Sequence, residues 1–176
     1  RQIIRFWVRE SCRNSFLPEV WYQVFPPEFK KDYPSYLRTV ADGMEGILNA
    51  YLYLKKHGEH QESWLNFCEK NAENLRKIQN GDGSFYRAYG KNGEPVHRGK
   101  YNTTNVIRFL VNLYTATGRE EYADMALRAG EFCYSYIFER MAYIGGTADN
   151  DNTVDKEAGM QALYAFLAMY DLTSDA

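Results

Sequence analysis

The feature that most constrains this sequence is a recurrence. Three apolar helical stretches end alike: Tyr51-x-x-Leu54-x-x-x-Gly58, Val111-x-x-Tyr114-x-x-x-Gly118 and Leu167-x-x-Tyr170-x-x-Thr173, with offsets of about 60 and 56 residues. The stretches after the first two also align, Trp64 with Tyr122 and Ala72 with Gly130, allowing a two-residue insertion. Each unit is a helix pair. One pair cannot bury its apolar face alone, so neighbours must stack, and the period predicts a helical array or ring.

Apolar residues three and four apart place the helices. The stretch 35–57 carries Leu37, Val40, Met44, Ile47, Leu48, Tyr51, Leu52 and Leu54. Ala41, Gly43, Gly46 and Ala50 are interleaved there, small enough to let another backbone approach. The stretches 103–117 and 156–172 are apolar enough to be inner helices, whereas 61–79 and 119–140 are amphipathic and peripheral. Residues 1–13, with Ile3, Ile4, Trp7 and Val8, read as a helix whose earlier partner is missing. None of the five prolines interrupts a predicted helix.

Turns inside each pair are short, around Gly58 and Gly118, while the connections 14–34, 80–102 and 140–155 are long. In an antiparallel array alternate connections lie at opposite ends. All the long loops therefore share one face, where inner helices begin with partial positive charge and unpaired N–H groups. The expectation is an all-α chain, 1–176 as a single domain or a fragment of one, with about three hairpins.

The third long loop places Asp149, Asp151, Asp155 and Glu157 within nine residues. Asp155 stands where a helix N-cap belongs. The spacing Asp149-x-Asp151-x-Thr153 begins like a calcium loop; Val154 replaces the turn glycine and Met160 the distal glutamate, which excludes an EF-hand and leaves a different calcium site open. Asp42, Glu45, Asn102, Asn105 and Arg108 fall at the same end, and Asp82 reads as a turn residue. So do Trp21, Tyr22, Tyr86, Tyr89 and Tyr101, from a chain with 15 tyrosines. Aromatic rings stack on the apolar faces of sugars, while carboxylates bind hydroxyls or carry protons. The candidate catalytic residues are Asp149 and Asp151, then Asp42 and Asp155. The candidate substrate-binding residues are Trp21, Tyr22, Tyr86, Tyr89, Tyr101, Asn105, Arg108 and Glu157.

Other classes fall away. A net charge of −2 gives no global field for nucleic acid or an anionic membrane. No apolar run approaches the ~18 residues of a membrane span. His57, His60 and His97 are scattered, so no zinc site is expected. Neither a Gly-x-Ser-x-Gly elbow nor a phosphate loop occurs. Cys12, Cys68 and Cys133 lie in helical patterns and read as buried free thiols. They neither demand nor exclude an oxidising compartment, so a soluble secreted or periplasmic setting stays open. Asn102-Thr103-Thr104 fits the N-glycosylation acceptor pattern, a triplet common by chance. Arg1 to Arg5 is not a signal peptide, and with no initiator Met the chain reads as trimmed or as part of a longer protein.

Alternating hairpins, the turn Asn80-Gly81-Asp82-Gly83-Ser84-Phe85 and the pattern Thr117-Gly118…Tyr122…Ala126 resemble the six-hairpin (α/α)₆ toroid glycosidase-like group. Unsaturated glucuronyl hydrolases and sugar 2-epimerases share that architecture. The resemblance implies a partial ring, with the remainder of the toroid outside this chain. It also implies hydrolysis, or related processing, of an oligosaccharide or glycoside. The Gln79 to Phe85 turn also resembles repeats of terpene cyclases, whose acidic motif Asp149-Asn150-Asp151-Asn152 matches incompletely. A helical-repeat scaffold that binds a protein or glycan is the non-enzymatic alternative.

Overall fold

The computed structural model describes residues 1–13, 15–19, 21–22, 28–29, 33–145 and 153–174, and for 21–22 and 28–29 the backbone only. The helices are α1 (Gln2–Glu10), α2 (Leu37–Lys56), α3 (Glu62–Ile78), α4 (Thr104–Thr117), α5 (Glu120–Cys133) and α6 (Lys156–Thr173). Tyr101–Thr103 forms a 3₁₀ turn leading into α4, and Tyr134–Phe138 a π-helical extension of α5. Five short strands complete the described chain: β1 (Trp21–Tyr22), β2 (Glu28–Phe29), β3 (Ser35–Tyr36), β4 (Ala88–Tyr89) and β5 (Pro95–His97).

Two layers result. α4 packs against α2 on one side and α6 on the other, which makes these three the inner layer. α3 packs on α2, α5 on α4 and α1 on α3, which makes the outer layer. The apolar spacing read in the sequence is what drives this. Leu37, Val40, Met44, Leu48 and Tyr51 of α2 are all at most 2% exposed. A buried side chain of this size contributes about 2 kcal/mol by leaving water. Outer helices keep a charged face and complement their dipoles, with Glu62 opening α3 and Arg76 and Lys77 closing it.

The repeat is visible in the caps. α2, α4 and α6 run into left-handed residues at Gly58 (φ 76°), Gly118 (φ 71°) and Ser174 (φ 58°). Gly118 and Ser174 donate alike, each N–H to the tyrosine carbonyl four residues back at 2.7 Å. The third unit therefore ends at Ser174, one residue beyond the expected Thr173, and the offsets of 60 and 56 become those of the caps themselves.

The long connections meet on one face, as the turn lengths require. β3, β4 and β5 form an antiparallel sheet that joins the first connection to the second. The Leu37 N–H donates to the Arg87 carbonyl at 2.9 Å, which fixes the start of α2 against that sheet. Arg87 and Asn102 both donate to the Gly145 carbonyl, at 3.3 and 3.2 Å, so the third connection joins them. In the second connection the strand β4 is confined to Ala88–Tyr89, and Phe85, three residues before it, is fully buried. Cys68 and Cys133 are buried free thiols as expected, and Cys12 is half-buried and also free. Among the described residues no helix is long and apolar enough to cross a membrane.

The turn at Asn80 to Phe85 is a structural joint. The Asp82 carboxylate accepts from the Ser84 N–H at 3.1 Å and hydroxyl at 2.5 Å, and from Lys100 Nζ at 2.6 Å. Burial would raise its pKa, but these bonds outweigh it and hold the carboxyl down at about 2. A carboxylate depressed in the folded state stabilises above its unfolded pKa of about 4 and loses that contribution as pH falls through the folded value. Acid denaturation should therefore be shallower between pH 4 and 2 in Asp82→Asn than in the parent, read by circular dichroism against pH.

Candidate active-site cleft

Sequence reasoning about one face narrows, in the structure, to a cleft among the three inner helices. Its volume is about 330 Å³, and it is lined by Asp42, Glu45, Gly46 and Asn49 of α2, Arg108 of α4, and Met160, Gln161 and Tyr164 of α6. On α2 the polar positions recur three and four apart along one side, from Arg38 through Asp42 and Glu45 to Asn49. They interrupt an otherwise apolar helix.

Electrostatics organise the cleft. Glu45, with its side chain 7% exposed, is paired with Arg108 Nε across the α2–α4 interface. The Arg108 guanidinium also lies over the Tyr164 ring, 4.6 Å from its centroid, so α2, α4 and α6 are joined through one cation. Arg38 reaches Glu157 of α6 at 2.7 Å and Asp42 at 3.7 Å. Asp42 thus differs from its neighbours: Glu45 and Glu157 each sit in a close ion pair, whereas Asp42 has only a long one. Burial raises the Asp42 carboxyl above its ordinary pKa, against the opposing pull of Arg38 and Arg108. A carboxyl of this kind is suited to carrying a proton.

Three residues singled out in the sequence meet here or at the cleft's edge: Asp42 and Arg108 line it, and Glu157 is tied to it through Arg38; Asn105 lies one turn before Arg108 on α4. Asn105 is 5% exposed, and its amide nitrogen is buried without a hydrogen-bond partner among the described residues. Other candidates go elsewhere. Asp155 caps α6, its carboxylate accepting the Ala158 N–H at 2.7 Å. Tyr89 is a core residue, 1% exposed, and its hydroxyl accepts the Tyr86 N–H at 2.7 Å. Tyr86 lies beneath Arg98 and Lys100, and Tyr101 packs against Tyr136, away from the cleft lining. Asn102 is buried and spends its amide on Gly145, so the glycosylation triplet is closed in the folded chain. Asp149 and Asp151 lie outside the described residues, as do the side chains of Trp21 and Tyr22.

Sequence reasoning did not select Arg38, Asn49, Gln161 or Tyr164, and placed Glu45 on the right face without a role. The 38–42–45–49 spacing was the available signal. Among the described residues no cluster of three His, Cys, Asp or Glu side chains is arranged to hold a metal ion.

No protein-family model matches the sequence, and no curated protein sequence does. Solved structures do match. A sugar epimerase from a ruminal bacterium superposes on 99% of this chain with a TM-score of 0.71 at 18% identity. The fold is that of an α/α toroid. A cellobiose 2-epimerase from Bacillus thermoamylovorans matches 97% of this chain at TM-score 0.74 and 13% identity. A family 76 glycoside hydrolase from a bovine Bacteroides thetaiotaomicron strain matches 98% at TM-score 0.70 and 13% identity. The chain spans 50%, 48% and 37% of these three proteins' lengths, so the match is to a partial ring. In toroid terms α2, α4 and α6 are the inner helices, and the cleft lies among them.

Proposed function

We propose that this chain forms part of a carbohydrate-processing toroid and that the inner-helix cleft holds a sugar ring. One observation carries the reading: Asp42, Glu45, Arg108, Glu157, Gln161 and Tyr164 converge at the beginnings of three successive inner helices. Amides, carboxylates and a guanidinium offer directional bonds to hydroxyls, and the Tyr164 ring, 38% exposed, offers a stacking face. The toroid neighbours named above, epimerases and a glycoside hydrolase, support the substrate class.

In the hydrolytic reading Asp42 protonates the leaving oxygen, and a second carboxylate activates water or attacks. Asp149 and Asp151 are the candidates for that second role on the sequence argument alone. The same acidic loop is the proposed ligand set for calcium, on its sequence alone. The second reading is 2-epimerisation, favoured by the two epimerase neighbours; there a cleft side chain would remove and return the proton beside the sugar carbonyl.

One experiment separates them. The chain is incubated in D₂O with cellobiose and with mannan oligosaccharides, and products are followed by NMR. New reducing ends mean hydrolysis, while deuterium at C2 without new ends means epimerisation. Asp42→Asn should abolish either signal. A ligand that binds only the folded state raises Tm, so a thermal-shift series with the same sugars reads binding separately. The reading falls if no sugar shifts Tm and no product forms.

Asp42→Asn carries a second expected result. A carboxyl whose pKa is raised by folding opposes stability above that pKa, and the opposition disappears once it is protonated. The neutral amide should therefore leave Tm at pH 7 equal to or above that of the parent while removing turnover. A lowered Tm at pH 7 would mean that Asp42 is a structural ion-pair member.

A further inference from the structure

A second cavity lies outside the inner cleft, at the tip of the β4–β5 hairpin. Its volume is also about 330 Å³. Tyr33, Pro34 and Val96 give it an aromatic and apolar lining, and Lys91, Asn92 and Glu94 a polar one. Val96 is 46% exposed, an apolar side chain that the core does not use.

The frame around this cavity is braced. The Gly90 N–H donates to the Glu94 carbonyl at 2.8 Å, and the Glu94 carboxylate accepts the Asn92 N–H at 3.0 Å. The Lys91 carbonyl accepts the Phe16 N–H at 2.7 Å, and the Phe16 carbonyl accepts from the Asn74 amide of α3 at 2.7 Å. The Phe16 ring fills the space beside Gly93, where an added Cβ would lie 2.8 Å from it. The hairpin tip is therefore tied to the outer layer, and a site already held in shape loses little freedom when it binds.

An aromatic row leads from the cavity to the start of α2. The Tyr33 and Tyr36 ring centroids are 5.5 Å apart, and Tyr36 stacks on His97 at 5.7 Å. Strand register places Tyr36 and His97 on either side of Ala88, a side chain small enough to let the two rings meet across it. Tyr36 is the residue before α2, and Arg38 borders the inner cleft through Asp42 and Glu157. The backbone covers at most about 20 Å from Tyr33 to Asp42, because extended residues advance about 3.5 Å and helical ones about 1.5 Å.

We propose that the hairpin cavity is a second sugar subsite, taking a further unit of the same oligosaccharide whose first ring occupies the inner cleft. The inference rests on the carbohydrate reading of that cleft and extends it from one ring to a chain. The described lining carries one cation, Lys91, and one anion, Glu94, so it offers no net charge to select an ionic ligand. It offers a tyrosine ring to the apolar face of a sugar, and an ammonium, an amide and a carboxylate to hydroxyls. The ligand class is thereby a neutral oligosaccharide of several units.

The test is isothermal titration calorimetry of the chain with two neutral series, manno- and cello-oligosaccharides, each from mono- to hexasaccharide. In one series affinity should rise with length, the hexasaccharide binding at least about tenfold more tightly than the disaccharide. Tyr33→Ala and Asn92→Ala should each reduce that ratio at least about threefold while helical circular dichroism is retained. Asn92 is exposed, so its substitution leaves the core untouched and decides the matter if Tyr33→Ala lowers Tm. If short sugars bind and affinity does not rise with length, or if the rise survives both substitutions, the subsite is overturned and the cleft reading stands. If no sugar of any length binds, both are overturned.

Discussion

Gly83→Ala should destabilise the chain by about 3 kcal/mol or more, through backbone geometry alone. Gly83 has φ of +84°, a region an L side chain enters at a cost of roughly 1–2 kcal/mol. The larger cost is contact. A Cβ built there lies 2.1 Å from the carbonyl oxygen of Arg128 and 2.6 Å from its carbon. That neighbour is backbone of α5, held in a helix, and cannot swing aside. The turn must move instead, and it carries the bonds that dock it. Gln79 Nε2 donates to both the Gly83 and the Met125 carbonyls at 3.0 Å, and Arg128 donates to the Asn80 carbonyl at 3.0 Å. For a chain of this size the loss corresponds to a fall in Tm of roughly 10 °C. Gly81→Ala is the internal control. Nothing lies within 4 Å of its added Cβ, so the change should stay within about 0.5 kcal/mol. Differential scanning calorimetry of the two variants decides the matter. Equal Tm losses would mean that the turn is loose on α5.

Arg108→Met should cost about 2 kcal/mol and also empty the cleft of its cation. Removing one member of a buried pair leaves an uncompensated charge, at about 3–5 kcal/mol when both partners are fully buried. Here Glu45 is 7% exposed but Arg108 is 35% exposed, so solvent screening reduces the figure. The same substitution removes the guanidinium from the Tyr164 ring, so one residue carries both the α2–α4 and the α4–α6 link. Glu45→Gln in the Arg108→Met background should recover much of the stability, because the stranded charge goes with it. A urea-denaturation double-mutant cycle measures the coupling. A cycle that closes to zero would show the pair to be a contact without energetic consequence. Sugar binding by thermal shift should be lost in both variants, whether or not stability is recovered.

Much of this architecture was legible from local pattern. Helix positions follow from apolar residues three and four apart, and the helices start and stop within about three residues of expectation once the π-helical extension to Phe138 is counted with α5. The common face of the long loops followed from turn length, because a short turn forces an antiparallel neighbour. The N-cap role of Asp155 was also legible, since it depends only on the N–H three residues ahead.

The cleft was less legible for a physical reason. Its defining contacts join residues far apart in sequence: Glu45 to Arg108, Arg38 to Glu157, Arg108 to Tyr164. Helical spacing says which side of α2 carries Glu45 but not which cation will neutralise it. Tyr86, Tyr89 and Tyr101 show the converse. Each lies near the right loops, yet a tyrosine ring can fill a core or face a ligand, and only packing chooses. For Tyr89 packing chose the core.

The sequence by itself determined the periodic elements, their pairing into hairpins and the end of the array where polar groups would collect. All of these depend on contacts within a helix turn or across a short loop. Tertiary structure alone decided which of those polar groups meet and which are tied up in ion pairs. Those outcomes depend on how one repeat rotates and packs against the next, and no spacing within a single helix encodes that.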